Sequence, residues 1–415
     1  MAVHSAAYLA INILSSAVAC VIFPLFTLVL SPAEYGTAGV YLAIIAAVAS
    51  CLEYGLLVRR TYIQNANPSR LSEEICACVT LYFIATAILS ASAFLLWNSI
   101  SRGIPISRLW LMAALFTGFF QACLSLTFAL WQISQFVRTY CSFKILFMLL
   151  NVLIALIGLF GFSLGWEALA WASLVPTLLT LSAAAWDAAH RYNLNWRLNV
   201  KTIAVTAKSI FALIPYRLSI TVFAYAGPIL VATYVNIAQS GLYILAFQIC
   251  TVIGLGYESI ISAIIPHVVV SEANPTSLKP VAKTKIMIVC IALVCCMSLF
   301  IALLAPPLIR LIFPAAYDGA IPYILWLSLA RCFHGINRMA QEIIFFYTPG
   351  FSTISIFSLV VSLLYTGITV ILLKVFGGIG GCIGLAAGHG LWLGATLVIG
   401  VILRTKFVGA SAVSL

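Results

Sequence analysis

Residues Ile321–Tyr347 read IPYILWLSLARCFHGINRMAQEIIFFY, and they indicate the class of fold to which the chain belongs. About 20 mainly apolar helical residues, at 1.5 Å each, cross the ~30 Å hydrocarbon core of a membrane. At 100° per residue, four polar side chains of this segment share one stripe about 80° wide, with Gln341 at its edge. They are Arg331, His334, Arg338 and Glu342. An arginine facing lipid at mid-bilayer costs ~2.5 to 3.5 kcal/mol, so the stripe is predicted to face protein or water.

The composition extends this interpretation to the whole chain. Hydrophobic residues make up 64% and charged residues 7% of the 415 residues, whereas soluble proteins have roughly 45 to 50% and about 25%. Apolar segments of membrane-spanning length recur about twelve times between short polar breaks. The sequence therefore predicts an all-α integral membrane protein. The predicted spans are 5–29, 37–58, 74–97, 109–132, 144–163, 167–187, 209–233, 240–264, 284–305, 321–347, 350–373 and 379–403.

The net charge of +11 raises the question of a nucleic-acid partner. About two-thirds of the Lys and Arg residues fall in the loops that follow even-numbered spans, which is the pattern of the positive-inside rule. No basic loop is also rich in aromatic residues, as single-strand binding would require. We therefore predict cytoplasmic termini and no nucleic-acid partner.

Motifs repeat between the two halves of the chain at a nearly constant spacing. Gly36 and Gly241 are 205 residues apart, and so are Glu53 and Glu258. Such a repeat indicates duplication of a six-span unit, and transporters built this way bind substrate between their halves. The predicted organisation is a six-helix lobe over residues 1–187, a cytoplasmic connector over 188–208 and a second six-helix lobe over 209–415.

Buried positive charge is the main chemical signal. Arg217 lies nine residues beyond Lys208, which places it ~13 Å into the seventh span. Together with Arg331 and Arg338 it could bind a phosphate or carboxylate, because the guanidinium group donates two parallel hydrogen bonds and stays charged. His334 could add a charge that depends on pH. The acids at depth are candidates for charge balance or ion coupling, and they are Glu53, Glu258 and Glu342.

The remaining motifs favour structural roles. The twelve cysteines lie mostly within apolar spans and lack zinc-site spacing, so they indicate buried small side chains and no metal. The glycines of residues 376–384 (FGGIGGCIG) lack the strand-turn-helix context of a nucleotide loop and predict a tight hairpin turn. Gly380, Gly384 and Gly388 then permit close packing of the last span within the chain. No constellation of catalytic residues is recognisable, and the outer loops are short, so we predict that the protein is not an enzyme.

Several short runs resemble one family of transporters. Residues 30–36 (LSPAEYG), 52–56 (LEYGL) and Arg60 resemble the opening of Wzx-type polysaccharide flippases, which transport O-antigen and other lipid-linked oligosaccharides. Further runs with the same likeness are 241–246 (GLYILA), 313–317 (FPAAY) and 376–380 (FGGIG). These flippases belong to the multidrug/oligosaccharidyl-lipid/polysaccharide (MOP) exporter superfamily, with the multidrug and toxic-compound extruders (MATE) and the lipid II flippases.

The resemblance implies two six-helix lobes around a cationic cavity that works by alternating access. The cargo would be an undecaprenyl-diphosphate-linked oligosaccharide that is moved across a bacterial inner membrane. There it would be used to build surface polysaccharide such as lipopolysaccharide. Implied partners are membrane lipids and other polysaccharide assembly proteins, and a proton or sodium gradient could drive transport without a bound cofactor. One departure is that residues 223–234 (FAYAGPILVATY) lack the acid that many relatives carry in the seventh span.

Two alternatives remain open from the sequence. The first is a cation-coupled exporter of small toxic compounds, which would need acidic residues in its cavity to bind cationic drugs. The excess of buried arginines over buried acids counts against this alternative. A membrane-embedded polymerase or acyltransferase would need larger outer loops.

Overall fold

The computed structural model describes the backbone of residues 11, 14, 18, 22, 24–52, 68–101, 103–104, 106–192, 194, 198–273, 280–347 and 351–412. Side chains are described for the same residues except 68–70, 212, 259–273, 280–287, 342–347, 351–354 and 401–412. Glu53, the side chain of Glu342 and most of the first predicted span therefore lie outside the described residues.

Eleven long α-helices account for nearly all of the described residues, which contain no β-strand. The helices are α1 (Pro32–Leu52), α2 (Pro68–Leu95), α3 (Arg108–Ile133), α4 (Val137–Leu156), α5 (Glu167–Tyr192), α6 (Val200–Tyr234), α7 (Ile237–Ala273), α8 (Pro280–Ile312), α9 (Ile321–Tyr347), α10 (Phe351–Phe376) and α11 (Gly378–Ala412). A π-helical turn, Ile157–Gly161, continues α4, and a short 3₁₀ helix, Ala315–Ala320, precedes α9.

Ten of these helices are long and apolar enough to cross a membrane. The exception is α9, whose 27 residues are sufficient in length but include the charged stripe. Its bounds coincide with the predicted segment 321–347. The predicted all-α membrane fold is thus confirmed, and each predicted span after the first corresponds to one helix.

The segment between α5 and α6 is shorter than the predicted connector of residues 188–208. Helix α5 continues to Tyr192, and α6 begins at Val200. Asn199 explains the early start, because its Oδ1 atom accepts a hydrogen bond from the Lys201 amide and caps the helix. Its Nδ2 atom also donates to Glu73 Oε2 at 3.1 Å, which fixes the start of α6 against α2.

Contacts divide the chain into two compact units, Met1–Gly241 and Leu242–Leu415. In the first unit, α1 packs against α3, α5 and α6, and α4 packs against α5. Tyr41, Tyr82 and Trp131 are among its largest fully buried side chains. The predicted lobe boundaries at residues 187 and 208 remain a prediction.

Two glycines of the predicted repeat contact each other within the first unit. A methyl group added at Gly36 would collide with the Ile237 carbonyl oxygen, and one added at Gly241 would collide with the Pro32 carbonyl oxygen. The starts of α1 and α7 therefore approach so closely that only glycine fits at either position.

In the second unit, α9 packs against α8 and α11, and α10 packs against α11. Gly377 has a φ of +61°, which makes the turn between α10 and α11 tight, as predicted. A Cβ atom at Gly380 would collide with the Leu372 carbonyl oxygen, and one at Gly384 with the Thr369 hydroxyl. The predicted packing role of these two glycines is confirmed.

Candidate functional site

The guanidinium group of Arg331 lies half-buried between α9 and α7. Its Nη2 atom donates a hydrogen bond to the Thr251 hydroxyl oxygen at 3.0 Å. Its Cζ atom lies 4.2 Å from the ring centroid of Phe247, close enough for a cation–π interaction. Phe247 and Thr251 are one helical turn apart, so α7 presents both to the same arginine. Among the described side chains, no carboxylate lies within ion-pair distance of Arg331.

Arg338, two turns further along α9, faces a different part of α7. Its Nε atom lies 3.7 Å from Glu258 Oε1, which is an ion-pair distance but too long for a hydrogen bond. The two side chains are 27% and 51% exposed, so solvent screens this pair. Glu258, predicted to balance charge at depth, thus contacts one arginine of the stripe.

His334 lies between the two arginines on α9 and packs within a cluster of rings. Its ring centroid is 4.7 Å from that of His389 and 5.6 Å from that of Tyr257. Trp392 stacks on His389, with 12° between the ring planes. The structure therefore adds His389 to the site, a residue 55 positions away along the chain that no spacing in the sequence connects to His334.

Arg217 belongs to the first unit, whereas Arg331 and Arg338 belong to the second. It lies half-buried on α6, close enough to the Cys51 thiol of α1 for an electrostatic interaction. One turn later, the Thr221 hydroxyl donates to Ser50 Oγ at 3.2 Å, so this face of α6 packs on α1. A single site shared by all three arginines remains a prediction.

The described part of the chain contains no cluster of His, Cys, Asp and Glu that could hold a metal ion. Its eleven described cysteines are free thiols, most of them buried. The chemistry that this site offers is thus electrostatic binding and hydrogen bonding by arginine, imidazole, hydroxyl and aromatic groups.

Residues 25–322 match the family described as "Polysaccharide biosynthesis protein". This match covers more than half of the chain, and the chain belongs to that family. No curated protein matches the sequence significantly.

Three solved structures with the same fold come from the MOP superfamily or its MATE and lipid II flippase members. A multidrug-resistance MATE transporter in an inward-facing conformation is 14% identical, with a TM-score of 0.72 over 98% of this chain and 96% of the transporter. The lipid II flippase MurJ, in an inward closed conformation, is 12% identical. Its TM-score is 0.72, and the match covers 96% of this chain and 87% of MurJ. A MOP transporter from Pyrococcus furiosus, whose binding pocket is described as reversed in polarity, is 14% identical. Its TM-score is 0.62, and the match covers 96% of this chain and 94% of the transporter. The predicted superfamily fold is confirmed.

Proposed function

We propose that this protein is a flippase that moves an undecaprenyl-diphosphate-linked oligosaccharide across the bacterial inner membrane by alternating access. The observation that carries this proposal is Arg331, a half-buried guanidinium group held by Thr251 and Phe247 without a carboxylate partner among the described side chains.

A charge in this position is unfavourable unless an anion or water compensates it. The diphosphate of a lipid-linked sugar supplies the matching anion, since the planar fork of arginine pairs with phosphate oxygens. Arg338, whose Nε atom lies 3.7 Å from the exposed Glu258, adds a second positive charge on the same face of α9. His334 lies between them and can donate a further hydrogen bond.

The family and the fold support this cargo. The family description names polysaccharide biosynthesis, and MurJ, which shares the fold, is described as a flippase for lipid II. The transporter from Pyrococcus furiosus, which shares the fold, is described as having a binding pocket of reverse polarity that suggests a different function. The positive charges of Arg331 and Arg338 on this chain favour an anionic cargo.

Several further features belong to the same proposal. Arg217, in the first compact unit, contributes to diphosphate binding, and Glu53, Glu258 and Glu342 balance charge or couple ions. A proton or sodium gradient drives the cycle without a bound cofactor. The protein works beside other polysaccharide assembly proteins, and both of its termini are cytoplasmic.

Replacement of Arg331 tests the proposal. In cells that depend on this protein for surface polysaccharide, Arg331→Ala should abolish assembly, and Arg331→Lys should impair it because lysine lacks the bidentate fork. Arg310→Ala is the matched control, since this arginine is exposed at the end of α8. Normal assembly with both Arg331 variants at normal expression would refute the binding role. Drug sensitivity of a deletion strain with intact polysaccharide would favour the exporter instead.

A further inference from the structure

Two carboxamide side chains on α9 are buried without hydrogen-bond partners. Asn337 and Gln341 are one helical turn apart and are 0% and 1% exposed. None of their four polar side-chain atoms has a hydrogen-bond partner among the residues that the structure describes. Two further atoms on the same helix, His334 Nδ1 and Arg331 Nε, are also buried without a hydrogen-bond partner in the described structure.

This concentration of unsatisfied atoms is unfavourable in the state observed. Each buried polar group without a partner costs about 1 to 3 kcal/mol, and native structures contain few of them. A buried polar group normally has a hydrogen-bond partner. Ser328, also on α9, is an example, because its buried hydroxyl lies 3.4 Å from the Cys250 thiol, within hydrogen-bonding distance. The unsatisfied groups of Asn337 and Gln341 therefore indicate partners that are present in another state.

The chemistry of the carboxamides restricts the class of partner. Each carboxamide is a double donor and also an acceptor. A phosphate anion accepts hydrogen bonds only and would leave both carboxamide oxygens unpaired. Sugar hydroxyl groups donate and accept, so a saccharide satisfies both halves of each carboxamide.

The position of the carboxamides also fits a sugar attached to a diphosphate. Asn337 is next to Arg338 in the chain. Gln341 lies four residues beyond Asn337, which is ~6 Å along the helix axis. Between Arg331 and Gln341 the axial distance is ~15 Å, a length that accommodates a diphosphate followed by a sugar ring. One helix thus carries anion-binding groups beside groups that bind hydroxyls.

We propose that Asn337 and Gln341 form a carbohydrate subsite that binds the sugar next to the diphosphate. This inference rests on the proposed function for the presence of a sugar. Because both side chains are covered in the state observed, α9 moves relative to the helices packed against it before the subsite binds. The cost of the unsatisfied carboxamides favours that movement.

Binding to two lipids separates this subsite from the arginine site. The full-length protein in lipid nanodiscs is titrated with undecaprenyl diphosphate and with undecaprenyl diphosphate carrying N-acetylglucosamine. We expect the wild type to bind the sugar-bearing lipid at least about fivefold more tightly, the effect of one good hydrogen bond. Asn337→Leu and Gln341→Met, which nearly preserve side-chain volume, should abolish this difference and leave the affinity for undecaprenyl diphosphate unchanged.

Thr180→Val is the matched control, since the Thr180 hydroxyl in the first unit is also buried without a partner in the described structure. This variant should keep the preference for the sugar-bearing lipid. Thermal unfolding checks that each variant is folded, because removing an unsatisfied polar group should leave stability unchanged or raise it.

Each outcome supports or overturns one proposal. If the wild type binds both lipids equally, or if the variants keep the preference, the carbohydrate subsite is refuted and internal water is the partner of the carboxamides. If the wild type binds neither lipid, the proposed function is refuted together with the subsite.

Discussion

Arg331 of α9 donates a hydrogen bond to the Thr251 hydroxyl oxygen of α7 at 3.0 Å. This bond orients one edge of the guanidinium group, and the Phe247 ring lies 4.2 Å from its central carbon. An arginine that is already oriented loses less conformational entropy when it binds an anion. For the proposed role of Arg331 in diphosphate binding, the hydrogen bond to Thr251 would orient the guanidinium group in advance.

Thr251→Val should weaken diphosphate binding. Valine has nearly the shape of threonine but cannot accept the hydrogen bond, so Arg331 loses its fixed orientation. We expect the affinity for undecaprenyl diphosphate to fall about two- to tenfold, the effect of one typical hydrogen bond. Thr366→Val is the control, because that hydroxyl donates to the Ser362 carbonyl oxygen within its own helix. Equal affinities of the Thr251 variant and the wild type would contradict the orienting role.

Glu258→Gln should strengthen diphosphate binding. Glu258 lies 3.7 Å from Arg338 and offsets part of its charge, whereas glutamine is neutral and of similar size. Because both side chains are partly exposed, the gain is modest, about two- to fivefold in affinity. The gain should shrink as salt concentration rises, since salt screens exposed charges. A weaker affinity in the variant would show that Glu258 supports the site and does not compete with the ligand.

His334 and His389 should show energetic coupling. Their ring centroids are 4.7 Å apart, so replacing one histidine changes the packing of the other. A double-mutant cycle with His334→Phe and His389→Phe, measured by the free energy of unfolding in detergent, should give a coupling of about 0.5 to 1.5 kcal/mol. The control is His190→Phe, which packs on Trp186 in the first unit and should be additive with His334→Phe. Additivity of both pairs would mean that the two histidines do not interact.

Gly36→Ala and Gly241→Ala should destabilise the first unit. In either variant the new methyl group meets a backbone carbonyl oxygen, which cannot move as easily as a side chain. We expect each to lower the free energy of unfolding by about 1 to 3 kcal/mol, as overpacking does. Gly394→Ala is the control, since nothing lies within 4 Å of a methyl group at that position in α11. Unchanged melting temperatures of the Gly36 and Gly241 variants would contradict the close approach of α1 and α7.

The amino-acid sequence by itself determined the helical membrane architecture, including the bounds of α9. Hydrophobic segments of spanning length and local turn residues suffice for this, because backbone groups in a membrane must satisfy one another within each helix. The same local information marked the stripe of Arg331, His334 and Arg338, since helical periodicity fixes which residues share a face.

Only the tertiary structure decided which groups these side chains meet. Thr251 and Glu258 of α7 contact Arg331 and Arg338, and His389 of α11 contacts His334. The physical reason is that the azimuth and depth of one helix against another depend on side-chain packing along their whole lengths. A pattern within one helix carries no information about that register. The burial of Asn337 and Gln341 without partners likewise became visible only when α9 was packed among its neighbours.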